Sequence, residues 1–224
     1  MNTYTIPSTQ PTGTIIHQDF MGYVAVNQEG VKDFLKAIAI NGVVQAITLA
    51  AVGIKVKAMI MPNMSRAARC HLALPKAAWV NNLKWMQNES RRQARYLEVV
   101  CWKISGAVAE FAFDEYDHYG SLGLGDIEGS YDFLSAYEAA HNVSSSRILA
   151  GCTVVVERLF GQHFDVTGEM AEHLFKQGNL AEPEINRYLS GVQTEELGQQ
   201  VLATLPEPWI DDEAERVHRM FIGS

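Results

Sequence analysis

The residues best suited to chemistry in this chain are glutamate–histidine pairs spaced three apart. Glu115 with His118, Glu138 with His141 and Glu215 with His218 all carry the Glu-x-x-His spacing. Three occurrences exceed what 17 Glu and 7 His scattered over 224 residues give by chance. On a helix that spacing sets a carboxylate and an imidazole on one face, and both ligate iron or manganese. Carboxylate-bridged di-metal bundles use two such pairs with two further glutamates. Glu115, His118, Glu138 and His141 are therefore the ligand set of an alternative reading, a helical di-metal oxidoreductase. Two features weigh against it. The first two pairs are 23 residues apart across a glycine-rich stretch, and the third lies in a strongly polar terminal segment. The leading expectation is no cofactor and no catalytic residue, with iron or manganese as the alternative.

The second constellation is electrostatic. The formal net charge of −8 is unevenly distributed along the chain. Residues 55–103 carry ten bases and two acids, net +8, whereas residues 104–224 carry six bases and 21 acids, net −15. Within the basic segment Lys84, Arg91 and Arg95 are spaced to share one helix face. Arg92, Lys76 and Trp85 belong to the same stretch. Basic side chains neutralise phosphates and aromatic rings stack on bases, the combination used to hold single-stranded nucleic acid. Opposite charge on the two parts of one chain also suits head-to-tail contact between copies.

Other patterns are weaker. Asp126-x-Glu128-x-Ser130-x-Asp132 offers alternating oxygens like a calcium loop. Tyr131 occupies the position that needs glycine, and Tyr137 the position of the bidentate glutamate. There is no Gly-x-Ser-x-Gly elbow, no phosphate-binding Gly-Lys-Ser/Thr loop and no His-Glu-x-x-His. Cys70, Cys101 and Cys152 are odd in number and far apart, which excludes a disulfide framework and fits a reducing compartment.

The elements that must position these groups follow from periodicity. Residues 1–14, with Pro7 and Pro11 and no charge, predict an extended arm. Residues 14–26 predict a short hairpin around Gly22, and residues 31–52 a helix apolar on most sides and so buried. Residues 54–61 predict a strand stopped by Pro62. A long helix is expected to open near Pro75, its stripe running Trp79, Leu83, Met86, Ser90, Ala94, Leu97, Cys101, Ile104, Val108 and Phe111, with Ser90 the one polar interruption. It ends before the glycine-rich loop at 120–129. Shorter helices follow, capped by Ser130, by Ser144–Ser146 (with Gly161 past the end), by Thr167, Thr194 and Asp211, and opened by Pro183.

The expected fold is mainly α: a multi-helix bundle around one long central helix, with an extended N-terminal arm and a small β element near the N-terminus. Residues 15–224 form a single helical domain, with subdivision near 120–129 as the alternative. The uncharged run 37–54 is short for a membrane span and carries Asn41, Gln45 and Thr48 in its middle. No basic, apolar leader opens the chain, so the expected location is cytoplasmic or intracellular, with no membrane partner. These observations predict a non-enzymatic, self-assembling structural protein, a homo-oligomer that binds single-stranded nucleic acid through Lys76, Lys84, Trp85, Arg91, Arg92 and Arg95. An acidic protein–protein interaction module is the bland alternative.

Overall fold

The structure is a computed structural model that describes residues 15–19, 22–26, 28–62, 70–76, 78, 89–112 and 130–222. The arm at 1–14, the glycine-rich loop and the residues Trp79, Leu83 and Met86 of the long stripe lie outside them. What is described is mainly helical, with two small sheets.

Strands β1 (Ile15–Asp19) and β2 (Gly22–Val26) form the expected antiparallel hairpin, with Ile15 opposite Val26 and Asp19 opposite Gly22. Helix α1 (Gln28–Ala51) follows. From Ala37 to Val52 it is buried almost all round, as a helix without a polar face must be. Its buried hydroxyl at Thr48 is satisfied by the Val44 carbonyl at 2.9 Å, and Gln45 donates to the Asn41 side chain at 3.0 Å. Gly53 ends the helix at φ +78°, a left-handed residue, while the Ile54 N–H reaches back to the Leu49 carbonyl at 2.8 Å.

Three three-residue strands make a sheet of order β4-β3-β5, all antiparallel: β3 (Ala58–Ile60), β4 (His71–Ala73) and β5 (Asn179–Ala181). Met59 pairs with Leu72 on one side and Leu180 on the other. The strand expected over 54–61 is thus real but short. Its two partners went unpredicted, because three residues are too few to show a period of two. This sheet joins the N-terminal part of the chain to residues more than a hundred positions later.

Helix α2, described over Glu89–Ala112, lies at the centre. It packs on α1, on α4 (Ser145–Gln162) and on α7 (Leu197–Thr204), with α3 (Tyr131–His141) also against it. The predicted stripe holds where it is described: Ala94, Leu97, Cys101, Ile104 and Val108 are all buried. Each fully buried Leu or Ile of this kind contributes about 1.5–3 kcal/mol. Where the long helix expected from near Pro75 begins lies outside the described residues; Pro75 itself accepts a bond from the Ala78 N–H at 2.9 Å in a turn that follows β4.

The remaining helices are α5 (Phe164–Gln177), α6 (Glu182–Leu189) and α8 (Ile210–Ile222). Ser144 caps α4 as expected, taking the Arg147 N–H, and Gly178 closes α5 at φ +76°. Ser130 precedes α3 without a side-chain cap bond. Gly161 falls inside α4, because the helix runs on to Gln162 before His163 turns the chain. Thr167, Thr194 and Asp211 are not caps. Thr167 sits inside α5 and bonds the His163 carbonyl at 2.9 Å, α7 starts after Glu196, and Asp211 lies in the first turn of α8. In each case packing of the apolar face, which outweighs a single cap bond, moves the boundary by a few residues. Among the described residues no helix is long and apolar enough to cross a membrane.

Helix α7 comes very close to α2 at Gly198. A Cβ there would collide with the backbone of Ala94, whereas one at Gly168, exposed on α5, would meet nothing within 4 Å. Gly198→Ala should therefore destabilise by about 1–3 kcal/mol, since backbone cannot move aside as a side chain can. Gly168→Ala should stabilise by about 0.5–1 kcal/mol through lost chain entropy. Chemical denaturation of the two variants checks the opposite signs.

Candidate nucleic-acid interface

Of the six candidate residues of the basic segment, Lys84 and Trp85 lie outside the described residues, as does the side chain of Arg91. Arg92 is half-buried on α2 and Lys76 is exposed just after β4. Arg95 is already engaged: its Nη1 donates to Glu98 Oε2 at 2.6 Å. The Arg95 side chain is only 28% exposed, and that of Glu98 only 6%. The structure therefore does not leave Arg95 as a simple solvated cation on an open helix face.

Within residues 55–103, the exposed basic side chains that are described lie at one end of the β3–β4 ladder. Ala58 pairs with Ala73, and the Lys57 N–H extends the ladder by donating to the Ala73 carbonyl at 2.8 Å. That register carries Lys55 and Lys57, just before β3, to the same end as Lys76, just after β4. All three are exposed, while Ile54, Val56 and Met59 are buried beneath them. Lys55 and Lys57 were not among the residues selected by helical spacing. A readable signal did exist: no Asp or Glu occurs between Asp33 and Glu89, a stretch holding seven Lys or Arg.

The acidic part behaves differently. Arg147 bonds the Leu205 carbonyl at 2.7 Å and pairs with Asp211 at 3.1 Å. Arg216 clamps Glu157 at 2.7 Å and Glu213 at 2.6 Å through its Nε. Lys176 pairs with Glu172 at 3.0 Å, Arg158 bonds Gln200, and Arg187 stacks on Tyr188. These ion pairs, like Arg95–Glu98, each join residues of one segment. With 21 acids against six bases there, local pairing of those bases leaves the C-terminal part strongly negative.

The metal alternative finds its described half otherwise employed. Glu138 accepts the Ser145 N–H at 3.1 Å and the Ser145 hydroxyl, holding the first turn of α4. His141 Nδ1 lies 3.2 Å from Gln93 Nε2. Glu115 and His118 lie outside the described residues, and so does most of the calcium-like run at 126–132. Among the described residues no group of three or more His, Cys, Asp or Glu could hold a metal ion. His173 faces the Tyr188 hydroxyl at 3.2 Å and Glu184 at 3.8 Å. Burial pushes the Cys70 thiol up to about 12, away from the thiolate that nucleophilic chemistry uses.

If Glu138 works as a cap, Glu138→Ala should lower stability by about 1 kcal/mol. The loss should be the same with and without a chelator in the denaturation buffer; a chelator-sensitive loss would instead mark a metal ligand. The chain matches no protein-family model and no curated protein.

Proposed function

We propose that this chain is a non-enzymatic, self-assembling structural protein that holds single-stranded nucleic acid along its basic segment. The observation that carries the reading is the exposed cluster of Lys55, Lys57 and Lys76 at one end of the β3–β4 ladder, inside a stretch free of acidic residues. Exposed cations flanking a strand pair give a phosphate backbone points to follow, and each contact releases a counterion. Lys84, Arg91, Arg92 and Arg95, with Trp85 for base stacking, extend the same segment along the chain. Arg66 and Arg69, in the connection between β3 and β4, add to it.

Self-assembly draws on the opposite charge of the two parts. Because the C-terminal bases are engaged within their own segment, the surplus acids are left to meet positive charge elsewhere, and a second copy offers it. Trp209 and Phe164, large apolar side chains exposed at 43% and 48%, lie on this acidic part. Exposed aromatics of that kind are common at the centre of protein contacts.

Binding of labelled single-stranded RNA over a salt series is the test. The expected outcome is an affinity falling linearly with log salt. Replacing Lys55, Lys57 and Lys76 together by Ala should flatten the slope by about 2, at roughly 0.7 per lost contact. An affinity independent of salt, or a slope unmoved by the triple substitution, would overturn the nucleic-acid reading. Light scattering on the same samples should show species larger than one chain that dissociate as salt rises.

A further inference from the structure

The three-stranded sheet turns one face to the core and the other to solvent. Directly paired residues share a face, and successive residues of a strand alternate between faces. Met59 with its partners Leu72 and Leu180 makes the inner face, where Met59 and Leu180 are buried. The outer face is then two rows: Ala58 between Ala73 and Ala181, and Ile60 between His71 and Asn179. A solvated sheet face ordinarily carries polar residues. This one has a row of three alanines, and on its middle strand stands Ile60, 45% exposed. Lys55, Lys57 and Lys76 lie beside the alanine row, at the same end of the ladder.

A second surface matches it. Between α7 and α8 the chain makes a tight turn containing Pro206 and Pro208, whose rings fix the backbone. The Glu207 N–H donates to the Thr204 carbonyl at 3.0 Å, and the Ile210 N–H to the Glu207 carbonyl at 3.2 Å. This turn holds Trp209 at 43% exposure, immediately before α8. Glu207, two residues earlier, and Asp212, three residues later, are both exposed, while Asp211 bonds Arg147. An aromatic ring displayed on a backbone already fixed loses little freedom when it docks.

We propose that the Trp209 turn of one copy docks on the outer face of the three-stranded sheet of a second copy. The indole covers Ile60 and the alanine row, and Glu207 and Asp212 meet the lysines at the ladder end. The inference rests on the self-assembly part of the function proposed above and names the two surfaces that meet.

Charge fixes which surface meets which. Two sheet faces together would oppose lysine to lysine, and two Trp209 turns acid to acid, whereas sheet against turn sets opposite charges around an apolar centre. The contact is therefore head to tail. Each copy keeps one surface open for the next, so the assembly grows into a ring or a filament instead of stopping at a dimer.

Sedimentation velocity at low salt and without nucleic acid tests the docking on wild type, Ile60→Asp, Trp209→Ala and an equimolar mixture of the two variants. Wild type should form species larger than one chain. Each variant alone has lost one of its two surfaces and should sediment as a monomer. Mixed, they should form dimers and nothing larger, since one still offers Trp209 and the other still offers the sheet. Circular dichroism should match wild type in both, as each residue is on the surface. A second pair of variants leaves the apolar side chains untouched: Glu207→Lys/Asp212→Lys and Lys55→Glu/Lys57→Glu should each be monomeric alone and regain large assemblies when mixed. If wild type assembles and all these variants assemble as well, the docking is wrong and self-assembly runs through another surface. A mixture of Ile60→Asp and Trp209→Ala that stays monomeric or grows beyond two chains also overturns it. If wild type is itself a monomer, the docking falls together with the self-assembly reading, and the RNA salt series decides the nucleic-acid reading separately.

Discussion

Helices α1 and α2 meet through side chains that neither could leave in water. Between Ala37 and Val52 almost every position of α1 is buried, and α2 presents Leu97, Val100, Cys101, Ile104 and Val108, each at most 1% exposed. An apolar helix of that kind has no solvent-facing solution, so partners must close around it. α2 supplies one wall and α5 another, while α4 and α7 cover the far side of α2. Where the approach is tightest, glycine makes room: Gly106 leaves space for the Asn41 side chain, Gly42 for Cys70 and Gly198 for the Ala94 carbonyl. The remaining architecture, including both sheets and the acidic C-terminal helices, is arranged around this double helix contact.

That burial also decides how charge is presented. Small changes of backbone geometry separate exposed cations from engaged ones. Lys55 and Lys57 alternate with the buried Ile54 and Val56, so extended backbone pushes both lysines outward together. Arg95 sits on a helix, one residue from Ala94 at the α7 contact, and meets a buried carboxylate one turn away. Two bases of equal formal charge thus have different values to a polyanion. The C-terminal bases are tied down in the same way, by Asp211, Glu157 and Glu213 among others, and that segment keeps a net negative charge.

Helical periodicity carried α2 and α4, which are long enough for a period of 3.6 to be plain, whereas α1 was legible as a long apolar run too extended for a strand. Val154–Val156 in α4 illustrates the first case: three β-branched residues in a row favour a strand locally, yet Ile148, Cys152, Val155 and Leu159 keep a helical face and are all buried. The three-stranded sheet was illegible for the opposite reason. His71–Ala73 and Asn179–Ala181 are three residues each, and what makes them strands is their shared partner β3. The basic site was half legible. Net charge marked the segment, but helical spacing directed attention to α2 and away from the lysines flanking β3 and β4.

By itself the sequence determined the helical class, the buried character of α1, the apolar stripe of α2 and the separation of positive and negative charge, since each of these is carried by residue type and by spacing along one element. Only the tertiary structure decided which charges are available. That Arg95 is bound to a buried Glu98, that Glu138 holds the start of α4, and that Lys55, Lys57 and Lys76 share one end of a ladder are facts of long-range packing. Side chains far apart in the chain, or facing a neighbour brought in by another helix, leave no periodic trace. Their chemistry exists only once the core has brought the elements together.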